Sequence, residues 1–147
     1  MDSNLKRSII LEHYQNPENK GLMEDDRYIY ANTNNESCID EINLMALVEQ
    51  GKIKDIRFDG EACAICTSST SIMIHTILGK DIVEVKEKIK NFSNMINEEE
   101  YNSEILEEAV VYEDVGKQPS RKKCALLPWW GLEKIVKEVE MNGKYQD

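Results

Sequence analysis

The sequence predicts an α+β fold in which helices pack on one face of an antiparallel three-stranded sheet. Residues 42–48 have a period of two in which one face is more apolar than the other, which is typical of a strand, and residues 53–58 form a second predicted strand. A Gln-Gly-Lys turn at residues 50–52 separates them, so the two strands form a hairpin. From residue 62 onward the apolar residues recur at helical spacing instead. Strands that come early and helices that come late are typical of the α+β class.

The N-terminal region is predicted to supply one helix and a further strand. Ser3 is a suitable N-cap for a helix over residues 4–15. Pro17 ends this helix, because the residue before a proline disfavours helical backbone angles. A short extended segment near residues 27–31 follows, and a polar loop then leads to Cys38.

Residues 62–78 contain no charged side chain, although 31% of the chain is charged, and they predict a buried helix. Cys63 lies at the start of this helix and Gly79 is placed to end it. We expect His75 to be a hydrogen-bonded core residue rather than a metal ligand. The stretch is shorter than the ~20 apolar residues of a membrane-spanning helix and is rich in hydroxyl groups, so a core helix is predicted.

The second half of the chain is predicted to be helical. A short helix is expected over residues 101–111, and a C-terminal helix over residues 125–141. Pro128 is compatible with the first turn of a helix but not with its interior. The C-terminal helix is therefore expected to start close to Cys124, which would place Cys124, like Cys63, at a helix N-terminus.

Composition indicates a single domain over residues 1–147. The chain has 28 Asp and Glu against 18 Lys and Arg, a net charge of −10, which argues against nucleic acid or an anionic membrane as the main partner. The N-terminal residues do not have the apolar run of a secretory signal. We expect a cytoplasmic protein whose four cysteines are reduced, catalytic or metal-bound rather than paired.

The cysteines are the candidate functional residues. Asp40 follows Cys38 by two positions, and extended backbone would place both side chains on the same side. A helix N-terminus lowers the pKa of a thiol, which favours thiolates at Cys63 and Cys124. Three thiolates and a carboxylate can form a tetrahedral zinc site. The spacing leaves open buried, inert cysteines, and also a site or a redox disulfide that uses the pair Cys63 and Cys66.

Three cysteine segments resemble those of the U-type iron–sulfur cluster assembly proteins: residues 35–40 (NESCID), 59–65 (DGEACAI) and 119–129 (PSRKKCALLPW). The His-Tyr-x-Asn-Pro opening at residues 13–17 matches as well, so the resemblance covers essentially the whole chain. The sequence is similar to the SufU branch rather than the IscU branch. Lys123 stands where IscU-type proteins carry a histidine, residues 91–106 match a SufU-type insertion, and the Leu-Pro-Pro-Val-Lys motif of the IscU branch is absent.

The resemblance implies that Cys38, Asp40, Cys63 and Cys124 bind one zinc ion. It also implies that Cys38 accepts persulfide sulfur from a partner cysteine desulfurase, which carries pyridoxal phosphate, and that downstream cluster assembly or acceptor proteins receive the product. Arg121 matches a family arginine near the metal that polarises or steers the Cys38 thiol.

Two residues depart from the family pattern, and two other functions stay open. Ile39 stands where the family has glycine, and Cys66 stands where serine is common, so Cys66 is an alternative to Asp40 as the fourth ligand. A scaffold that assembles and transfers a [2Fe–2S] cluster would use the same cysteines with iron. A structural zinc domain that only binds a partner is the third reading.

Overall fold

The computed structural model describes residues 1–35 and 39–142. Its three strands form one antiparallel sheet in the order β1-β2-β3, which confirms the predicted α+β class. The strands are β1 (Ile29–Asn34), β2 (Glu41–Glu49) and β3 (Lys52–Asp59). The helices are α1 (Ser3–Gln15), α2 (Ala64–Ile77), α3 (Ile82–Ile96), α4 (Ser103–Leu106) and α5 (Pro119–Asn142). Two 3-10 helices, Glu107–Tyr112 and Val115–Lys117, lie between α4 and α5.

Helix α5 lies directly on strands β1 and β2. A Cβ atom at Gly131 would be 2.9 Å from Cδ1 of Leu44, so a larger side chain there would require either Leu44 or the helix to shift. The buried hydroxyl of Thr33 on β1 donates a hydrogen bond of 3.0 Å to the carbonyl of Leu127 on α5. The position of α5 relative to β1 and β2 is therefore fixed by a close contact and by a polar contact.

The opposite face of the sheet is covered in part by the chain that connects α1 to β1. Met45 is fully buried on β2, and its Sδ atom accepts a contact of 3.3 Å from the backbone N–H of Met23. Tyr30 lies next to Met45 in the β1–β2 register and donates to the carbonyl of Met23 at 2.8 Å. The helices themselves contact the other face.

The uncharged stretch forms α2, as predicted, and α2 is the helix at the centre of the molecule. Its hydroxyl residues are hydrogen-bonded within the protein rather than free to bind a ligand, and all of them except Thr67 are buried. Ser69 donates to the carbonyl of Ala125 at 2.7 Å and accepts from Nε1 of Trp129 at 3.2 Å, which ties α2 to α5. Gly79 follows the helix with φ +83°, the left-handed conformation expected of a residue that ends a helix.

The two histidines differ in their surroundings. His75 lies at the surface, where it contacts Glu18 at 3.1 Å, so the prediction of a core position is wrong although the hydrogen bond is present. His13 lies 2.7 Å from the hydroxyl of Ser71 on α2 and 3.0 Å from the carboxylate of Glu108. These contacts of His13 hold the end of α1 against its neighbours.

Helix α5 begins at Pro119, so the predicted start near Cys124 is wrong and Cys124 lies in the second turn of the helix. Pro119 suits the first turn, where its missing N–H leaves no bond unmade. Pro128 lies inside the helix and has no N–H to donate to the carbonyl of Cys124. The helix continues through it because residues on both sides are buried, including Trp129, whose ring stacks on Phe92 at 4.2 Å.

Two further boundaries differ from prediction. Asp2 rather than Ser3 caps α1, since its carboxylate accepts from the backbone N–H of Leu5 at 2.8 Å. The helix expected over residues 101–111 is the short α4 followed by a 3-10 helix, and Glu107 at their junction has φ +51°. The buried amine of Lys88 bonds the Glu107 carboxylate at 2.9 Å and so favours this break. No helix within residues 1–35 and 39–142 is long and apolar enough to span a membrane.

Candidate metal site

Asp40 lies immediately before β2 and is almost completely buried, with 2% of its surface exposed. Its backbone carbonyl accepts a hydrogen bond of 3.0 Å from the N–H of Asn35, which joins the residue after β1 to the residue before β2. Its side-chain Oδ1 accepts from the backbone N–H of Cys63 at 2.8 Å, and Oδ2 lies 3.5 Å from the Cys63 sulfur. The carboxylate therefore links the start of β2 to the start of α2.

Cys63 is the N-cap residue of α2, as the sequence predicted. Its backbone is extended, with φ −67° and ψ 171°, and its sulfur accepts a contact of 3.4 Å from the N–H of Cys66. The exposed free thiol thus faces the end of the helix where backbone N–H groups favour negative charge.

Gly60 allows β3 and β2 to approach closely enough to bring Asp40 to Cys63. It has φ +144°, and a Cβ atom on it would lie 2.0 Å from the carbonyl oxygen of Glu41. Just beyond it, the N–H of Glu41 donates to the carbonyl of Glu61 at 2.8 Å. Since any side chain would collide with backbone, only glycine fits at this position.

Cys124 reaches the same place from α5, but not as a helix N-terminal residue. Burial raises the pKa of its thiol well above the ordinary value, and its interactions with Asp40 and Cys63 add to the rise. Because Cys124 lies in the second turn of α5, the premise that it occupies a helix N-terminus, where its pKa would be lowered, is wrong. One turn of α5 separates the sulfur from the backbone N–H groups that would have stabilised a thiolate.

One ligand atom from each of Asp40, Cys63 and Cys124 lies within 4.8 Å of the other two. Within the part of the chain that the structure describes, this is the one group of three or more His, Cys, Asp and Glu residues that can hold a metal ion. Zinc–sulfur bonds of about 2.3 Å place tetrahedral ligand atoms somewhat under 4 Å apart, so two sulfurs and an oxygen at this spacing fit three corners of a zinc site.

Two other residues considered as ligands, Cys38 and Cys66, are not in this group of three. Cys38 lies outside the described residues, so its place as the fourth ligand stays a prediction. Cys66 is fully buried and does not belong to the group of three. This geometry favours Asp40 over Cys66 as a ligand. Ile39, at the position where the resemblance places glycine, points its side chain outward, and Asp40 beside it stays buried.

Arg121 lies in the first turn of α5, one turn before Cys124, and is exposed. Its side chain lines an open groove together with Arg7 and Ile65. The predicted contact between Arg121 and Cys38 falls partly outside the described residues and stays a prediction.

Sequence reasoning missed the residues that hold the site together. Gly60 was visible only within the segment of residues 59–65, and Ser69 only as one of several hydroxyl residues of the uncharged stretch. The open depression over Asp40 is lined by acidic and amide side chains, among them Glu41, Asp59 and Glu61. These carboxylates lie close together because the β2–β3 register pairs Asn43 with Asp59 and so brings the start of β2 next to the end of β3.

In a comparison with known proteins, residues 5–125 match the family described as NifU-like N terminal domain. The chain is 39% identical over 137 residues to the zinc-dependent sulfurtransferase SufU of Bacillus subtilis, covering 92% of each chain. It is 31% identical over 130 residues to the iron–sulfur cluster assembly scaffold protein IscU of Thermotoga maritima, covering 88% of this chain and 91% of the relative.

A solved structure shares the same arrangement of helices and strands. It is the crystal structure of a SUF-system scaffold protein, FiSufU, from Fervidobacterium islandicum, with a TM-score of 0.83 and 35% identity over 87% of this chain and 93% of the other.

Proposed function

Because this chain belongs to the family of NifU-like N-terminal domains, we propose that it is a zinc-dependent sulfur acceptor in iron–sulfur cluster assembly. The observation that carries the proposal is the convergence of Asp40, Cys63 and Cys124 from three distant segments. The similarity to a zinc-dependent sulfurtransferase over nearly the whole chain supports it.

In this proposal Cys38, Asp40, Cys63 and Cys124 hold the zinc ion, which keeps bound sulfurs as thiolates near neutral pH. Asp40 has two tasks. One carboxylate oxygen is held by the Cys63 N–H at 2.8 Å, so the other is oriented toward the two sulfurs. A bound cation would offset the burial that opposes ionisation of Cys124.

Cys38 is the proposed acceptor of sulfur from a SufS-type cysteine desulfurase. Its thiolate attacks the outer sulfur of the desulfurase persulfide, a new sulfur–sulfur bond forms at Cys38, and the desulfurase cysteine leaves as a thiolate. The sulfane sulfur is transferred without net oxidation. Arg121, near the end of α5 that carries Cys124, steers the Cys38 sulfur toward the partner.

The test uses zinc analysis and desulfurase activity together. We expect freshly purified protein to contain about one zinc per chain and to stimulate a cognate desulfurase. Cys38→Ala should abolish stimulation, whereas Cys66→Ser, which keeps a small polar group at a position outside the site, should preserve it. Full stimulation by Cys38→Ala would contradict the proposal.

A second candidate is a scaffold that builds and passes on a [2Fe–2S] cluster with the same residues. The 31% identity to an IscU scaffold protein over most of both chains favours it. After anaerobic reconstitution with iron and sulfide, a scaffold would show visible absorption and would transfer its cluster to an apo-ferredoxin. Zinc that resists replacement by iron would favour the sulfur acceptor.

A further inference from the structure

An open groove of about 430 Å³ runs beside the candidate metal site, between α1 and the first turn of α5. We refer to it as the α1–α5 groove. Its lining includes four aliphatic residues: Ile10, Ile65, Val111 and Val115. Since Ile65 lies between Cys63 and Cys66 on the first turn of α2, the groove begins next to the sulfur-bearing end of that helix.

Asp114, the acidic residue that lines the groove, already has a cationic partner. Lys6 on α1 bonds Glu113 at 2.5 Å and Asp114 at 2.7 Å, and the pKa of Asp114 is lowered by its hydrogen bond with Lys6. Asp114 therefore stays ionised and paired, and it does not compete for the other cations of the groove.

Two guanidinium groups in the groove remain uncompensated. Neither Arg7 nor Arg121 makes an ion pair or a side-chain hydrogen bond with any residue in ranges 1–35 and 39–142, and both side chains are exposed. Both groups are therefore available to a carboxylate from outside the described part of the chain. A planar guanidinium binds a carboxylate through two parallel hydrogen bonds.

We propose that the α1–α5 groove binds an acidic segment of the partner desulfurase, an inference that rests on the proposed function. Carboxylates of that segment pair with Arg7 and Arg121, and an apolar side chain covers Ile10 and Ile65. A partner bound here lies along the helix ends that carry Cys63 and Cys124. The groove thus supplies the orientation that a transfer between two sulfur atoms requires.

The test measures desulfurase stimulation as a function of the concentration of the Arg7→Glu variant. Arg7 lies outside the candidate metal site. We expect the apparent KM for the partner to rise about tenfold, because a pair at the edge of an interface is replaced by repulsion. The maximal stimulated rate and the zinc content should stay at wild-type levels. The KM of the wild type should rise with salt, and that of Arg7→Glu should rise less steeply.

Lys54→Glu is the matched control. It makes the same change of charge at an exposed position on β3, away from the groove, and should leave KM within about twofold of wild type. Equal KM values for Arg7→Glu and Lys54→Glu would overturn the proposal, since the effect would then be one of net charge alone.

Calorimetry separates this proposal from the proposed function. If the wild type binds desulfurase without stimulating it, sulfur acceptance is wrong, and weaker binding by Arg7→Glu than by Lys54→Glu still supports the groove. If the wild type stimulates and Arg7→Glu binds equally well, sulfur acceptance stands and the groove is not the docking site. Absence of any binding by the wild type overturns the groove as well.

Discussion

Gly60 is the residue whose replacement should disturb the candidate site most without touching a ligand. A methyl group there would lie 2.0 Å from the Glu41 carbonyl, next to Asp40. We expect Gly60→Ala to lower the free energy of unfolding by about 2–4 kcal/mol and to weaken zinc binding at least about tenfold. Urea denaturation and competition with a chromophoric chelator measure the two effects.

Gly79→Ala is the control for Gly60→Ala. Gly79 also has a positive φ, +83°, but nothing lies within 4 Å of the position of a Cβ atom. This variant should cost about 1 kcal/mol of stability through backbone strain alone and leave zinc affinity unchanged. Equal zinc affinities for the two alanine variants would show that Gly60 does not position Asp40.

Tyr28 gives the protein a predictable response to alkaline pH. Burial raises the pKa of Tyr28 to about 12, and its hydrogen bond to Asp55 adds to the rise. Between pH 10 and pH 12 the Tyr28 hydroxyl therefore keeps its proton in the folded protein but loses it in the unfolded chain. The contribution of Tyr28 to stability is full below pH 10 and is lost as pH rises toward 12. Urea midpoints at stepped pH should fall less steeply in Tyr28→Phe than in the wild type.

Among the elements, the contact between α2 and α5 decides the distance between Cys63 and Cys124. Ser69 makes that contact, donating to the carbonyl of Ala125, the neighbour of Cys124, and accepting from Trp129. Ser69→Ala should cost about 1–2 kcal/mol of stability, because two buried partners lose their bond. It should also weaken zinc binding about tenfold, because α5 is no longer held in register.

Thr76→Val tests whether this effect belongs to the contact between helices. Thr76 is equally buried on α2, but its hydroxyl donates to Ile72 of the same helix at 2.8 Å. We expect zinc affinity to be unchanged in Thr76→Val. If both variants weaken zinc binding alike, general loosening of α2 is the cause rather than the link to α5.

The elements that could be predicted were those whose signal is local. The hairpin of β2 and β3 follows from short-range periodicity, and the buried helix α2 follows from the absence of charge over residues 62–78; the structure confirms both. The start of α5 could not be predicted, because the local rule against an interior proline is overridden by packing on both sides of Pro128. His75 was placed in the core because it lies within the uncharged stretch, yet its side chain is exposed at the surface of α2.

The candidate site shows the same limit. The chemistry of Cys63 and Asp40 could be inferred from residue types, and the resemblance supplied their grouping with Cys124. The supports of the site could not be inferred, because the roles of Gly60 and Ser69 depend on partners that lie far away in the chain. Gly60 approaches Glu41, and Ser69 meets Ala125.

At the scale of the whole molecule, the apolar core extends far beyond the candidate metal site. The buried apolar residues extend from Ile29 to Val139 and include side chains from the sheet and from α2, α3 and α5. We expect the metal-free protein to keep its far-ultraviolet circular dichroism and a cooperative thermal transition, with a lower Tm. Unfolding on chelation would instead favour the structural zinc domain over the sulfur acceptor.

The three converging residues also set an order of events during synthesis. Asp40 and Cys63 leave the ribosome early, while Cys124 follows only after α3, α4 and both 3-10 helices have been translated. A nascent chain that stops short of α5 presents the thiol of Cys63 beside the carboxylate of Asp40 and lacks Cys124. In the proposed zinc site, the ligand set is therefore complete only late in synthesis, and tight zinc binding would distinguish finished polypeptides from truncated ones.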